Sequence, residues 1–148
     1  MVSTSYSTAG TYTVTLTVTD DDGAADTDTA VVTVTEKPAQ QKMRVGNITL
    51  SGDCITRGPW TWCESTAVVN IVDESNAPVA GATVEGTWSG AYSEDVTGTT
   101  GSEGNVTFET KYVKDGGTFT FTVNNVSNAN WVYDSSANVE TKDSITLP

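Results

Sequence analysis

TYTVTLTVTDDDGAADTDTAVVTVT, residues 11–35, alternates apolar and polar positions on both sides of one acidic turn. Tyr12, Val14, Leu16 and Val18 share a face and threonines take the other, the period-two pattern of a half-buried strand. Asp20, Asp21, Asp22 and Gly23 form the turn, where glycine supplies the positive φ that a tight reversal needs. The returning strand sets Ala30, Val32 and Val34 on the matching parity. This predicts a β-hairpin with one apolar face. A lone two-stranded hairpin is marginal in water. Its apolar face must therefore pack on the following domain, pair with a neighbouring molecule, or leave the hairpin mobile.

Downstream, EKPAQQK (36–42) breaks the pattern with Pro38 and polar residues and reads as a linker. Residues 43–148 then carry about seven short strands with turn signals between them. RVGNITLS (44–51) shifts parity at Gly46, which suggests a bulge. STAVVNIVD (65–73) is apolar on both parities, as a central strand is. ATVEGTWSG (82–90), a strand around Val96, NVTFETKY (105–112), TFTFTV (118–123) and a closing strand with Ile145 and Leu147 complete the set. No segment keeps a helical period over three turns. The predicted fold is all-β: an immunoglobulin-like or fibronectin-like β-sandwich over 43–148, preceded by the hairpin of residues 1–35.

Charge and composition narrow the function. Nineteen acids against seven bases give −12, which disfavours nucleic acid and anionic lipid as partners. The chain has no histidine, which removes the usual general base, the commonest metal ligand and any Ser-His or Cys-His nucleophile pair. No apolar run is long enough to span a membrane. The N-terminus lacks a charged region followed by an apolar one, so no signal peptide is expected there. Paired carboxylates are the remaining catalytic candidates. Glu94 and Asp95 are strand neighbours that point to opposite faces, and Asp73 and Glu74 sit at a turn, so no acid–base pair across a cleft is expected. The expectation is no catalytic residue, hence no enzyme.

Three groups of side chains stand out. Cys54 and Cys63, in GDCITRGPWTWCES (52–65), lack the further ligands of a zinc site and the C-x-x-C spacing of a redox pair. They form either a disulfide closing a short loop, the preferred reading, or two reduced thiols. Trp60 and Trp62 flank Gly58-Pro59 in that loop and share a parity. They serve either as a lid over the open end of the core or as a platform for stacking a polymer. Trp88 is assigned to the core, and Trp131 and Tyr133 to one end of the sandwich. Asp20, Asp21 and Asp22 either keep the hairpin turn soluble or make a weak calcium site, although their spacing is not that of an EF-hand loop; no other cofactor is expected. Asn47, Asn105 and Asn125 head chance-level glycosylation sequons.

The segment YSTAGTYTVTLTVTDDDGAADTDTAVVTV (6–34) resembles the C-terminal third of a polycystic-kidney-disease (PKD) repeat, an immunoglobulin-like sandwich of secreted microbial proteins. The resemblance implies a tyrosine corner at Tyr12, and it implies that the hairpin comes from an incomplete PKD-like sandwich, with the chain a fragment and Met1 an added start. The blocks VNIVDESNAPVAGATVEGTWSG (69–90), TTGSEGNVTFET (99–110), FTFTVNNV (119–126) and YDSSANVE (133–140) resemble a bacterial immunoglobulin-like module appended to secreted hydrolases such as subtilisin-like proteases. The turn NAPVAGATV (76–84) is also shared with adhesin repeats, but Ile71 stands where those repeats carry a cross-linking lysine.

Three functions follow as expectations. The first is a non-catalytic accessory module of a larger secreted or cell-surface protein, which spaces, stabilises or presents its neighbouring domains. The second is a module that binds a neutral polysaccharide or protein fibre through Trp60 and Trp62. The third is an adhesin or surface-layer segment acting through contacts between sandwiches.

Overall fold

The computed structural model describes residues 3–36 and 40–148. The chain divides into two compact units, Met1–Ala39 and Gln40–Pro148. Pro38, assigned above to the linker, lies outside the described residues.

The first unit is a two-stranded antiparallel sheet of β1 (Gly10–Thr19) and β2 (Ala25–Val34). Directly opposed residues share a face, and the register opposes Tyr12 to Val32, Val14 to Ala30, Leu16 to Asp28 and Val18 to Asp26. The apolar face is therefore purely apolar near Tyr12 and becomes half acidic toward the turn. Leu16 and Val18 are 63% and 60% exposed. The Tyr12 hydroxyl donates to the Thr8 carbonyl at 2.7 Å, and Tyr6 stacks on the Tyr12 ring. A tyrosine hydroxyl bonded to backbone a few residues upstream is the corner of Greek-key sandwiches.

The second unit is an immunoglobulin-like sandwich. Its strands are β3 (Gln41–Arg57), β4 (Trp60–Asp73), β5 (Thr83–Gly90), β6 (Glu94–Thr99), β7 (Asn105–Glu109), β8 (Val113–Lys114), β9 (Gly117–Ser127), β10 (Trp131–Tyr133) and β11 (Lys142–Leu147). One sheet runs β10-β3-β4-β7 with β8 also paired to β4; the other runs β11-β9-β5-β6. Alternation fixes which side chains meet between them. Cys63, Ala67, Val69 and Ile71 of β4 and Val106 and Phe108 of β7 point inward from one sheet. Val84 and Trp88 of β5 and Phe119, Phe121 and Val123 of β9 point inward from the other. Phe121 meets Trp88 edge-on at 4.9 Å and stacks on Phe108 of the opposite sheet at 5.1 Å.

Two devices finish the sheets. The β3–β4 register shifts between Val45 and Asn47, a bulge at Gly46. Beyond β10 the chain covers the exposed edge of β3 with side chains: the Val45 N–H donates to Asn138 Oδ1, and the Ile48 N–H donates to the Glu140 carboxylate. The short 3₁₀ turn Ser135–Ala137 brings these residues into place.

Three sequence expectations change. The linker assigned to 36–42 runs too far, because Gln41 and Lys42 are already in β3, paired in parallel with Trp131 and Val132 of β10. The cysteine loop is no loop: β3 and β4 continue as an unbroken ladder to the Arg57–Trp60 pair, reversed by Gly58 and Pro59 alone. Gly58 takes φ of 63°, the conformation a primed two-residue hairpin turn requires. The strands number nine rather than seven among the described residues, since two-residue β8 and three-residue β10 are too short to leave a periodic signal.

Two outcomes are expected. A Cβ at Gly86 would lie 2.4 Å from the Phe121 ring, which Trp88 and Phe108 hold in place. Gly86→Ala is therefore expected to cost about 1–3 kcal/mol in a denaturant titration. A fragment of residues 40–148 is expected to unfold cooperatively on heating. One of residues 43–148 should melt a few degrees lower, because it lacks two of the three β3–β10 rungs and the Lys42–Asp134 ion pair.

Candidate functional site

The β3–β4 hairpin places alternate residues of its outer half on one face. Register sets three rows there: Asp53 opposite Glu64, Ile55 opposite Trp62, and Arg57 opposite Trp60. Short β8 extends the rows, with Lys114 opposite Trp62. Ile55, Arg57, Trp60, Trp62 and Tyr112 together line an open cleft of about 410 Å³. The rows run from acidic through aromatic to cationic toward the turn.

Neither indole packs against the hydrophobic core, which is instead closed at its margins by Trp131, Tyr133, Ile145 and Leu147 among others. Trp60 is 46% exposed and Trp62 half-buried. The Lys114 ammonium sits 3.0 Å from the centre of the Trp60 ring, a cation–π contact that restrains the indole. Asp115 lies 3.9 Å from the same ammonium. Hydrogen bonding to the Glu64 carboxylate raises the Tyr112 phenol above its ordinary value, followed by desolvation and by the charges of Glu64 and Asp53. The Tyr112 hydroxyl lies 3.5 Å from Asp53 Oδ2, the outer limit of a hydrogen bond.

Behind this face Cys54 and Cys63 are joined as a disulfide across the ladder. Cys63 is fully buried, so the bond ties the projecting hairpin to the end of the core.

The other candidates are dispersed. Asp20 Oδ1 accepts the backbone N–H groups of Asp22 and Ala24 at 3.1 and 2.8 Å, so that carboxylate is occupied in holding the turn. Among the described residues, Asp20, Asp21 and Asp22 included, no group of three or more histidine, cysteine or acidic side chains is gathered as a metal site would be. Asp73 likewise caps its own turn, accepting from Ser75 and Ala77, and the Ser75 hydroxyl foremost holds its carboxyl below the ordinary value. Glu94 accepts from the Tyr92 hydroxyl and Asp95 from the Thr87 hydroxyl.

Ile55 and Arg57 could have been found by counting outward from Gly58-Pro59, since a two-residue turn dictates their cross-strand partners. Tyr112 and Lys114 arrive by a pairing some fifty residues away in sequence, and no local pattern announces it.

Residues 1–34 match the family described as PKD domain. Searches of curated proteins and of solved structures give no match.

Replacing Cys54 and Cys63 together by serine is expected to lower unfolding free energy by about 2–3 kcal/mol, the chain-entropy value for so short a loop. Calorimetry of the oxidised parent and the double variant measures it. Thiol titration of the denatured, unreduced parent should find no free thiol.

Proposed function

We propose that this chain is a non-catalytic accessory segment of a larger extracellular protein, in which it spaces or presents a neighbouring domain. The observation that carries the reading is the β1–β2 hairpin. It matches the PKD family over residues 1–34, has a tyrosine corner of the Greek-key kind, and exposes Leu16 and Val18 on a face built to be covered. A sheet face of that composition is half of an interface, and its partner is a domain or strand set contributed by the same larger protein. The second unit then serves as an appended immunoglobulin-like module, of the kind joined to secreted hydrolases such as subtilisin-like proteases.

Several observations support the parts of this reading. The disulfide fits an oxidising compartment. The absence of histidine from the sequence and the use of Asp20, Asp73, Glu94 and Asp95 in turns and strand contacts favour a structural role over acid–base chemistry. Pairing of two copies through the hairpin is disfavoured by charge. Residues 3–36 carry six acids (Asp20, Asp21, Asp22, Asp26, Asp28 and Glu36) and no base, so two such faces repel.

Hydroxyl-radical footprinting tests the proposal. Leu16 and Val18 should be oxidised rapidly in the 148-residue chain and several-fold more slowly when the chain is expressed with the sequence that flanks it in its gene. Equal oxidation in both forms would overturn the reading, as would turnover of peptide or glycoside reporters that survives purification.

A further inference from the structure

We propose that the outer face of the β3–β4 hairpin is a binding site for a neutral polysaccharide chain, with Trp60 and Trp62 as stacking platforms and Arg57, Tyr112 and Lys114 as polar groups around them. This goes beyond the accessory role and does not depend on it.

The first ground is placement. Two indoles, a phenol and an isoleucine side chain gather in one open cleft, and neither indole contributes to the core. Clustered apolar surface that folding does not bury marks a site for something else. The cleft lies on the face of a paired ladder, not at a free edge. Along the hairpin the backbone groups of β3 and β4 that face each other are paired, and the cleft presents side chains and not backbone to a ligand. Recognition must come from side chains, through ring stacking and polar contacts at the rim.

The second ground is charge. Arg57 and Lys114 stand against Asp53, Glu64 and Asp115, so the rim carries both signs in near balance within a chain of net −12. A polyanion would approach against the field of the whole molecule. Sugar hydroxyls both donate and accept, and a rim of ammonium, guanidinium, phenol and carboxylate groups serves both functions. Pyranose rings add apolar C–H faces that match indole.

The third ground is rigidity. The disulfide, the two-residue turn and the Lys114 contact hold the platform before any ligand arrives, which reduces the ordering entropy lost on binding. Lys114 covers one face of Trp60. Trp60 is thereby presented to a ligand in a fixed orientation.

The test is co-sedimentation of the full 148-residue chain with cellulose and chitin, and affinity electrophoresis in soluble β-glucan. A polyuronate gel and collagen fibres are run beside them. Retention is expected on at least one neutral glycan and should persist in about 1 M salt, where electrostatic attraction is screened out. Trp60→Ala with Trp62→Ala should weaken it about tenfold or more. Trp60→Phe, which keeps a flat apolar face, should keep most of it, and this separates lost stacking from a damaged fold. No retention on any neutral glycan overturns the proposal. So does equal retention of the double-alanine variant, or retention confined to the polyuronate or to collagen.

Discussion

Phe121 is the side chain through which the two sheets of the sandwich register on each other. It lies between Trp88, its neighbour in the same sheet, and Phe108 of the facing one, and the backbone of Gly86 runs close against its ring. Aromatic side chains bury large areas and carry directional preferences, so Phe121 held between a ring of each sheet fixes both separation and offset. The strand bearing Phe108 pairs directly with β4, so this contact helps to position β4. The projecting hairpin, the disulfide and the aromatic cleft all descend from β4.

The site is therefore an extension of a core strand and not a loop laid upon it. β4 is buried on alternate positions at Cys63, Ala67, Val69 and Ile71, then continues outward as Trp62 and Trp60 beyond the reach of the facing sheet. The same alternation that puts cysteine inside puts tryptophan outside. A one-residue slip would exchange them, which the disulfide forbids. Inner rigidity is passed along a continuous ladder to residues in water.

Much of this was legible in the sequence because period two is a strong signal when one face is wet. The parity of Tyr12, Val14, Leu16 and Val18 predicted the hairpin, and that of Phe119, Phe121 and Val123 predicted β9. The bulge at Gly46 followed from a broken alternation. What escaped notice was short or non-local. β10 has three residues, and it pulls Gln41 and Lys42 out of the expected linker through pairing with a segment some ninety positions away. The cleft was half legible: Trp60 and Trp62 could be placed together from their spacing, whereas Tyr112 and Lys114 depend on β8, whose position tertiary pairing alone decides.

The closing segment 134–140 has a meaning for behaviour in crowded solution. Its Asn138 and Glu140 side chains occupy the backbone donors of Val45 and Ile48 that a strand from another molecule would need. Side chains, unlike a further strand, offer no new ladder on their outer side, so sheet growth stops there. Edge-to-edge pairing of a second chain with β3 at Val45 and Ile48 is thereby blocked. Three-residue β10, the Val139 N–H on the Val45 carbonyl and these two side chains together close the first part of the β3 edge.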